Sequence, residues 1–398
     1  MTLKTIENID VSGKVVLLRC DLNIPISEDG EILDISRIER IMPTIKYLSS
    51  RGAKIGLLSH FGRPNGKYDE NLSLGFISEC LAETLQAQEI VVIPDCIGKV
   101  AKQVLSDLAD GGIALLENVR FHIGEEKNNV KFSKSLSEIA DIYVNDAFSV
   151  SHRKHASTYG VTKFLPSYAG LALQLEIEML EKVLKNAEPP TMGIIGGSKV
   201  STKINLINNL MKQMKYIAIG GGMANTFLAA DGVNIGASFY EKNMLEDAKD
   251  IIKRSKELGC KLILPTDVVV ADRIEQGIDS HNIKITEISK NNMILDLGIE
   301  TVGNISNAIA NSKTLLWNGP LGVFEVPPFD EATSSCALTV AMLTRAGGLI
   351  SVAGGGDTVS ALNNAGAAGG FSYVSVAGGA FLEWIEGKSL PGITVLNK

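Results

Sequence analysis

The 398 residues of this chain contain two groups whose types and spacing suit the handling of anions. The first group is cationic. Seven of the ten arginines precede residue 154, although lysine is preferred elsewhere. Arg63 lies in Ser59-His60-Phe61-Gly62-Arg63-Pro64 and Arg120 in Glu117-Asn118-Val119-Arg120, each just after an apolar run that reads as a strand. Arg37 opens a helix behind Asp34-Ile35-Ser36, and Arg153 sits in Ser149-Val150-Ser151-His152-Arg153. Arginine offers a planar fork of donors that matches carboxylate or phosphate oxygens in pairs. Four such forks at one sheet end can hold a small molecule that carries both groups. Asp21 and Asn23, in Arg19-Cys20-Asp21-Leu22-Asn23, would read its hydroxyl and carbonyl, and His60 would donate to an anion. A single arginine is more often half of an exposed ion pair, and a single histidine is as often a packing residue. Their shared place after strands favours the ligand-binding reading of the set.

The second group is rich in glycine. Gly196-Gly197-Ser198-Lys199, Gly220-Gly221-Gly222, Trp317-Asn318-Gly319-Pro320 and Gly354-Gly355-Gly356-Asp357-Thr358 each follow an apolar run. Glycine after a strand lets the backbone approach a phosphate or a planar base. The last of these loops precedes a helix-like stretch, so its amides would meet phosphate oxygens at that helix N-terminus. Asp357 would hold Mg²⁺ directly or through water, and Thr358 would bond a phosphate oxygen. Lys199 and Lys203, four apart, would lie on one helical face and point at one polyphosphate. Each glycine loop taken singly is equally well explained as a tight βα turn. The chain has no G-x-x-x-x-G-K-[ST] P-loop, no complete G-x-G-x-x-G after a strand, and no H-R-D or D-F-G element of protein kinases.

The elements that must position these loops alternate along the chain. Apolar runs at Val15–Leu18, Ile55–Leu58, Ile90–Ile93, Ile113–Leu116 and Ile142–Val144 predict strands in the first half. Met192–Ile195, Tyr216–Ile219, Lys261–Leu264, Met293–Leu295, Thr314–Trp317 and Leu349–Val352 predict strands in the second. Amphipathic stretches such as Ile38–Ser50, Ile77–Gln86, Leu245–Leu258 and Ala332–Arg345 lie between them with helical spacing. That alternation predicts an α/β chain of two Rossmann-like domains, each a parallel sheet flanked by helices, facing across a cleft. A chain of this length also exceeds what one core usually fills. Leu171–Lys185 reads as a helix stopped by Glu188-Pro189-Pro190. The expected division is therefore a domain over 1–170, a connecting helix over 171–187 and a domain over 188–385.

Bulk properties exclude other classes. A net charge of −7 disfavours nucleic acid or an anionic membrane as partner. No run approaches the roughly 18 apolar residues of a membrane span. The five cysteines are scattered without a C-x-x-C pair, which suits reduced thiols in a cytoplasmic protein and supplies no zinc ligand set. The histidines likewise show no metal-ligand spacing.

Taken together, the blocks above resemble the phosphoglycerate kinase family nearly end to end. Further matching blocks are Glu125-Glu126-Lys127-Asn128, Asn145-Asp146, Leu264-Pro265-Thr266-Asp267 and Gly322-Val323-Phe324-Glu325. The resemblance implies a 3-phosphoglycerate or 1,3-bisphosphoglycerate site at Asp21, Asn23, Arg37, His60, Arg63, Arg120 and Arg153. It implies an ATP or ADP site at Gly196, Gly197, Lys199, Lys203, Asn318, Glu325, Gly355, Gly356, Asp357 and Thr358, with Mg²⁺ near Asp357. It further implies a monomer whose tail, from about residue 386, returns to the first domain. The family's Ser-Thr-Gly-Gly-Gly-Ala reads here Ser375-Val376-Ala377-Gly378-Gly379-Ala380, which keeps the Gly378 and Gly379 amides for the moving phosphoryl group. A family glycine in the nucleotide pocket is replaced by Ile294, and Ser149-Val150-Ser151 replaces a run of smaller residues without evident consequence. Arg37 and Lys203 are assigned to the equatorial oxygens in transit, and domain closure would exclude water. The competing readings are a non-catalytic nucleotide- or metabolite-binding protein on the same fold, supported only by Val376-Ala377, and an NAD-dependent dehydrogenase, disfavoured by the missing fingerprint.

Overall fold

The computed structural model describes residues 2–86 and 90–397. The chain divides into two compact units, Met1–Ile177 with Ser389–Lys398, and Glu178–Lys388.

In the first unit six strands form one parallel sheet: β1 Val15–Arg19, β2 Lys54–Leu58, β3 Val91–Ile93, β4 Ile113–Leu116, β5 Ile142–Asn145 and β6 Ser167–Ala169. Their order across the sheet is β3-β4-β2-β1-β5-β6. All five residues of β1 are buried, because helices cover both faces of a parallel sheet. Alternation along β1 divides its side chains between two cores. Val16 and Leu18 pack with Ile38, Ile41, Ile45 and Leu48 of the helix Ser36–Ser49. Val15 and Leu17 pack with Ala101 and Leu105 of the helix Gly98–Asp107 on the other face. Truncating one such leucine to alanine costs about 2–5 kcal/mol.

The helix Leu171–Leu184 starts where it does for identifiable reasons. Its first amides are received by side chains: Leu171 N–H by Thr44 Oγ1 and Leu173 N–H by Asp146 Oδ1, both at 2.9 Å. Gly170 leaves room for that carboxylate, since a Cβ there would overlap Asp146. Burial pushes the Asp146 carboxyl up to about 6. The chain's last segment joins this unit through Lys4 N–H to the Leu396 carbonyl (2.8 Å) and Asn145 Nδ2 to the Gly392 carbonyl (3.1 Å).

The second unit contains β7 Thr191–Ile195, β8 Tyr216–Ile219, β9 Lys261–Ile263, β10 Asp267–Ala271, β11 His281–Lys284, β12 Met293–Leu297, β13 Thr314–Asn318, β14 Ile350–Gly354 and β15 Tyr373–Ser375. Six of them form a parallel sheet in the order β15-β14-β13-β7-β8-β9. Read from β9, that is the 3-2-1-4-5-6 order of doubly wound dinucleotide folds. The segment predicted at Met293–Leu295 does not join it. β12 pairs antiparallel with β10, which pairs antiparallel with β11, in a separate three-stranded sheet. Apolar runs reveal strands but not partners, so this sheet was invisible to periodicity. Among the described residues no helix is long and apolar enough to cross a membrane.

Candidate functional site

Open parallel sheets bind ligands beyond their strand carboxyl ends, at the point where strand order reverses. In the first unit the chain leaves β1 for β2 on one side and β5 on the other. Asp21 follows β1 and Ser149 follows β5, and the Ser149 hydroxyl donates to Asp21 Oδ2 across that reversal (2.6 Å). Arg37 Nη1 reaches the same oxygen at 2.6 Å. Burial pushes the Asp21 carboxyl up, but the Arg37 charge and the Ser149 and Asn23 bonds outweigh it and hold it ionised. His60 is buried beside Arg19, and burial with that guanidinium drives its pKa well below the usual range. Arg19 Nη2 lies 3.2 Å from His60 Nδ1. Since guanidinium only donates, His60 is neutral with its proton on Nε2.

Asn23 and Arg120 act on one loop. Asn23 Oδ1 accepts from Gly62 N–H (2.9 Å), and Arg120 Nη1 donates to the Gly62 carbonyl (2.7 Å). Gly62 adopts φ +58°, which explains a glycine before Arg63. Burial, with Arg153 and Arg19 adding, lowers Arg120 to about 10, still fully charged at neutral pH. That repulsion places Arg153 within electrostatic reach of Arg120. Arg63 is exposed, and neither Arg63 nor Arg153 has a carboxylate partner among the described residues. Five of the seven sequence-predicted residues are thus tied down; the Arg63 fork is uncommitted among the described residues, and Arg153 gives only Nε, to His152 Nε2 at 3.3 Å.

Beneath them lies a buried network that the sequence reading did not single out. Arg19 Nε donates to Ser157 Oγ (3.0 Å), and Ser157 donates to Glu125 Oε1 through its hydroxyl (2.6 Å) and to Oε2 through its amide (2.8 Å). A buried guanidinium needs such compensation, so this network fixes the arginine that orients His60. Ser149 likewise escapes sequence reasoning, because a serine in a loop carries no spacing signal.

In the second unit the reversal falls between β7 and β13. Gly196 N–H donates to the Asn318 carbonyl there (3.0 Å). A Cβ at Gly196 would overlap the Pro320 carbonyl, and one at Gly221 would stand 2.6 Å from the Gly197 carbonyl oxygen. The loops after β7, β8 and β13 therefore pack backbone on backbone, which only glycine permits. Gly355, at φ +105°, opens the helix Gly356–Asn364, whose first turn holds Asp357.

Lys199 and Lys203 do not share a helical face. They flank the short 3-10 turn Val200–Thr202, and Lys199 is exposed while Lys203 is half-buried. Lys203 Nζ donates to Asn318 Oδ1, and Asn318 Nδ2 donates to the Gly354 carbonyl (2.6 Å). Asn318 thus ties the ends of β13 and β14 to one lysine. Burial lowers Lys203 to about 8, although Asp357 and Glu386 pull it back up. Thr358 Oγ1 accepts from Gly319 N–H (2.7 Å), so it braces the loop and still has its proton to donate. Gly378 begins the helix Gly378–Ile385, leaving the Gly378 and Gly379 amides without intrahelical partners.

Beside these loops opens a pocket of about 380 Å³ lined by Gly197, Gly221, Phe239, Ile294, Leu321, Val323 and Glu325. Slots of this size with apolar walls suit a planar base. Asp296, absent from the sequence reading, also lines it. Its oxygens accept from Leu297 and Ala332 N–H, both at 2.9 Å, and burial pushes its carboxyl up to about 8.

An arginine–carboxylate cluster at one switch point and glycine-walled loops at the other are the geometry, and comparison of the whole chain with known proteins shows its family. Residues 6–388 match the family model described as phosphoglycerate kinase. The phosphoglycerate kinase of Caulobacter vibrioides (strain NA1000 / CB15N) is 50% identical over 397 residues, covering 100% of both chains. That of Sinorhizobium medicae (strain WSM419) is 51% identical over 399 residues with the same coverage. The chain belongs to the phosphoglycerate kinase family. Among solved structures, the phosphoglycerate kinase of Coxiella burnetii matches with TM-score 0.92 and 38% identity over 99% of this chain and 98% of that one. The enzyme from Pyrococcus horikoshii OT3 matches with TM-score 0.82 and 27% identity at the same coverage. Phosphoglycerate kinase activity is therefore this chain's function, a phosphotransferase reaction of glycolysis with a carboxyl group as acceptor. The departures at Val376 and Ala377 leave the helix start intact, with Ala377 N–H held by Ser375 Oγ (3.2 Å). Those at Ser149 and Ser151 have a consequence after all: Ser149 supports Asp21, and Ser151 donates to the Ala147 carbonyl (2.9 Å).

Proposed function

We propose that the reaction 1,3-bisphosphoglycerate + MgADP ⇌ 3-phosphoglycerate + MgATP is carried with the acid on the first unit and the nucleotide on the second. The supporting observation is the opposite chemistry of the two switch points: an arginine–carboxylate cluster in one, bare backbone with a single half-buried lysine in the other. In this reading Arg63, Arg120 and Arg153 receive the phosphate and His60 donates Nε2–H to an anion. Asp21 and Asn23 accept from or orient the hydroxyl and carbonyl. Gly196 and Gly197 give close approach, Lys199 adds long-range attraction, and the amides of Gly355 and Gly356 with the Thr358 hydroxyl meet the polyphosphate. The base enters the pocket under Ile294, and the Glu325 carboxylate accepts from ribose hydroxyls.

No general base is needed, because the carboxylate acceptor is ionised at neutral pH. Catalysis then rests on alignment and charge. Arg37 and Lys203 neutralise the equatorial oxygens, and the Gly378 and Gly379 amides donate to the phosphoryl group. Asp357 is an exposed carboxylate with no hydrogen bond or ion pair among the described residues, a fit to a hard cation that takes one protein carboxylate plus phosphate oxygens. Mg²⁺ would supply charge neutralisation on the nucleotide side. The same reading makes the chain a cytoplasmic monomer, in keeping with five free thiols.

The direct test is ATP- and Mg²⁺-dependent phosphorylation of 3-phosphoglycerate, drawn forward by a coupled dehydrogenase. Robust turnover is expected. A folded chain that binds MgATP without turnover would refute the proposal and direct attention to Val376 and Ala377.

A further inference from the structure

The phosphoryl-transfer reading uses hard oxygen ligands, and a different donor set lies elsewhere in the first unit. Asp95 and Cys96 follow β3, and His122 lies beyond β4, the strand beside β3 in the sheet. Sequence spacing offered no metal ligands because the adjacent Asp95 and Cys96 and the distant His122 come from two loops; strand order brings them together. One ligand atom from each lies within 4.8 Å of the others.

The arrangement has parts that a chance encounter lacks. His122 Nε2 is 2.7 Å from Asp95 Oδ1, so the ring already points into the cluster. The ring stacks on Phe132 at 4.9 Å between centroids and 27° between planes, which fixes its orientation. Asp95 Oδ1 also accepts from Cys96 N–H (2.6 Å) and Ile97 N–H (3.3 Å). Those bonds anchor the carboxylate and leave Oδ2 uncommitted among the described residues. Cys96 is buried, whereas His122 and Asp95 side chains are 30% and 46% exposed, so the cluster opens to water on one side.

Thiolate, imidazole and carboxylate together suit a borderline-soft cation rather than Mg²⁺. We propose that Asp95, Cys96 and His122 form a binding site for a Zn²⁺-class divalent cation, with water as the fourth ligand. On binding, the Cys96 S–H bond breaks and its proton passes to water, and the proton that His122 Nε2 shares with Asp95 leaves that nitrogen, for Nδ1 in a neutral ring or for water from a protonated one. Bonds form from the metal to Cys96 Sγ, His122 Nε2 and Asp95 Oδ2, and the His122–Asp95 hydrogen bond is given up. Nothing is oxidised or reduced.

The test is a titration of the full chain, without nucleotide, by Co²⁺ followed by Zn²⁺. The expected result is a near-ultraviolet thiolate-to-cobalt charge-transfer band that saturates at one equivalent and is abolished by Zn²⁺. Excess Mg²⁺ should leave it unchanged. Cys96→Ser should remove the band. His122→Asn should weaken binding by at least about 10–100-fold, the loss that even outer-shell partners of metal ligands cause. Circular dichroism and retained kinase turnover check that each variant folds; should Cys96→Ser fail to fold, the more exposed His122→Asn and Asp95→Asn carry the test. A missing band, an undiminished band in Cys96→Ser, or unaltered affinity in His122→Asn would overturn the proposal and leave an ordinary surface ion pair beside a buried thiol.

Discussion

In the first unit the loop after β1 carries Asp21, held at 2.6 Å by both Arg37 and Ser149. In the second, the loop after β7 carries Gly196 and Gly197, whose near neighbours are backbone atoms of Pro320 and Gly221. Both loops leave a parallel sheet at its topological reversal, yet one presents side chains and the other main chain, and the proposed reading has each recognise its ligand accordingly. A small, highly charged acid needs donors from several directions, which long arginines supply. A polyphosphate and a flat base need close, smooth approach, which side chains would obstruct. The two regions should therefore fail in opposite ways: the first by deleting atoms, the second by adding them.

Lys203 is the exception in the glycine region, a side chain to which the proposal gives the charge stabilisation, and removing it should have the largest effect. Lys203→Ala is expected to lower kcat about 10²–10³-fold, as loss of a preorganised charge stabiliser does. The KM for 3-phosphoglycerate should stay near wild type. Arg37→Ala should lower kcat comparably and also raise that KM, because Asp21 loses its ion-pair partner. Steady-state kinetics on both substrates separates the two. Undiminished turnover in Lys203→Ala would end its assigned role.

Adding one carbon to the second region should come next. Gly196→Ala would force the Pro320 carbonyl away, and overpacking of this kind costs about 1–3 kcal/mol. MgATP binding should weaken by about 5–150-fold, the same energy expressed as a ratio, with 3-phosphoglycerate binding unaffected. Gly378→Ala is the control: a Cβ there meets nothing within 4 Å, so calorimetric MgATP affinity should hold. Equal losses in both variants would break the backbone-packing account.

Lys203 also gives the comparison a pH signature. With its folded value lowered to about 8, the free enzyme loses that charge as pH rises through 8. The kcat/KM for MgATP should fall above about pH 8, by at most about tenfold per unit. The stability sign is opposite. The unfolded chain binds this proton more tightly, so the buried ammonium lowers stability below pH 8, and that deficit fades toward the lysine's ordinary value. A pH–rate profile flat well beyond 8 would show that Lys203 stays charged.

Sequence made most strands legible because burial on both sheet faces writes continuous apolar runs, as in β1, but β6, β10, β11 and β15 have no counterpart among the predicted runs. It also made Arg63 and Arg120 stand out, because a guanidinium just after a strand is unusual enough to notice, and Arg37, because it opens a helix behind Asp34-Ile35-Ser36. What it hid was pairing. Met293–Leu295 looked like its parallel neighbours, although β12 runs antiparallel to β10. The four-residue spacing of Lys199 and Lys203 is that of one helical face, whereas the Val200–Thr202 turn separates them. Asp296 and Arg19 stayed unremarked because a buried charge shows its partners only in three dimensions. The family resemblance supplied Glu325 and the Gly378–Gly379 amides, which spacing alone would not have.

The smallest expected effect tests how far recognition in the first region extends beyond the arginines. Ser149 donates one hydrogen bond to Asp21 Oδ2, the oxygen that Arg37 also holds. Ser149→Ala removes that donor but leaves the ion pair, so the charge on Asp21 persists. A hydrogen bond to a charged group contributes about 1.5–3 kcal/mol in a favourable case, and less where a second donor remains. A rise of a few-fold in the KM for 3-phosphoglycerate, with kcat and MgATP affinity unchanged, is the expected outcome. Should kcat fall instead, Ser149 would be orienting Arg37 through the shared oxygen, and the first region's chemistry would depend on that serine as much as on its cations.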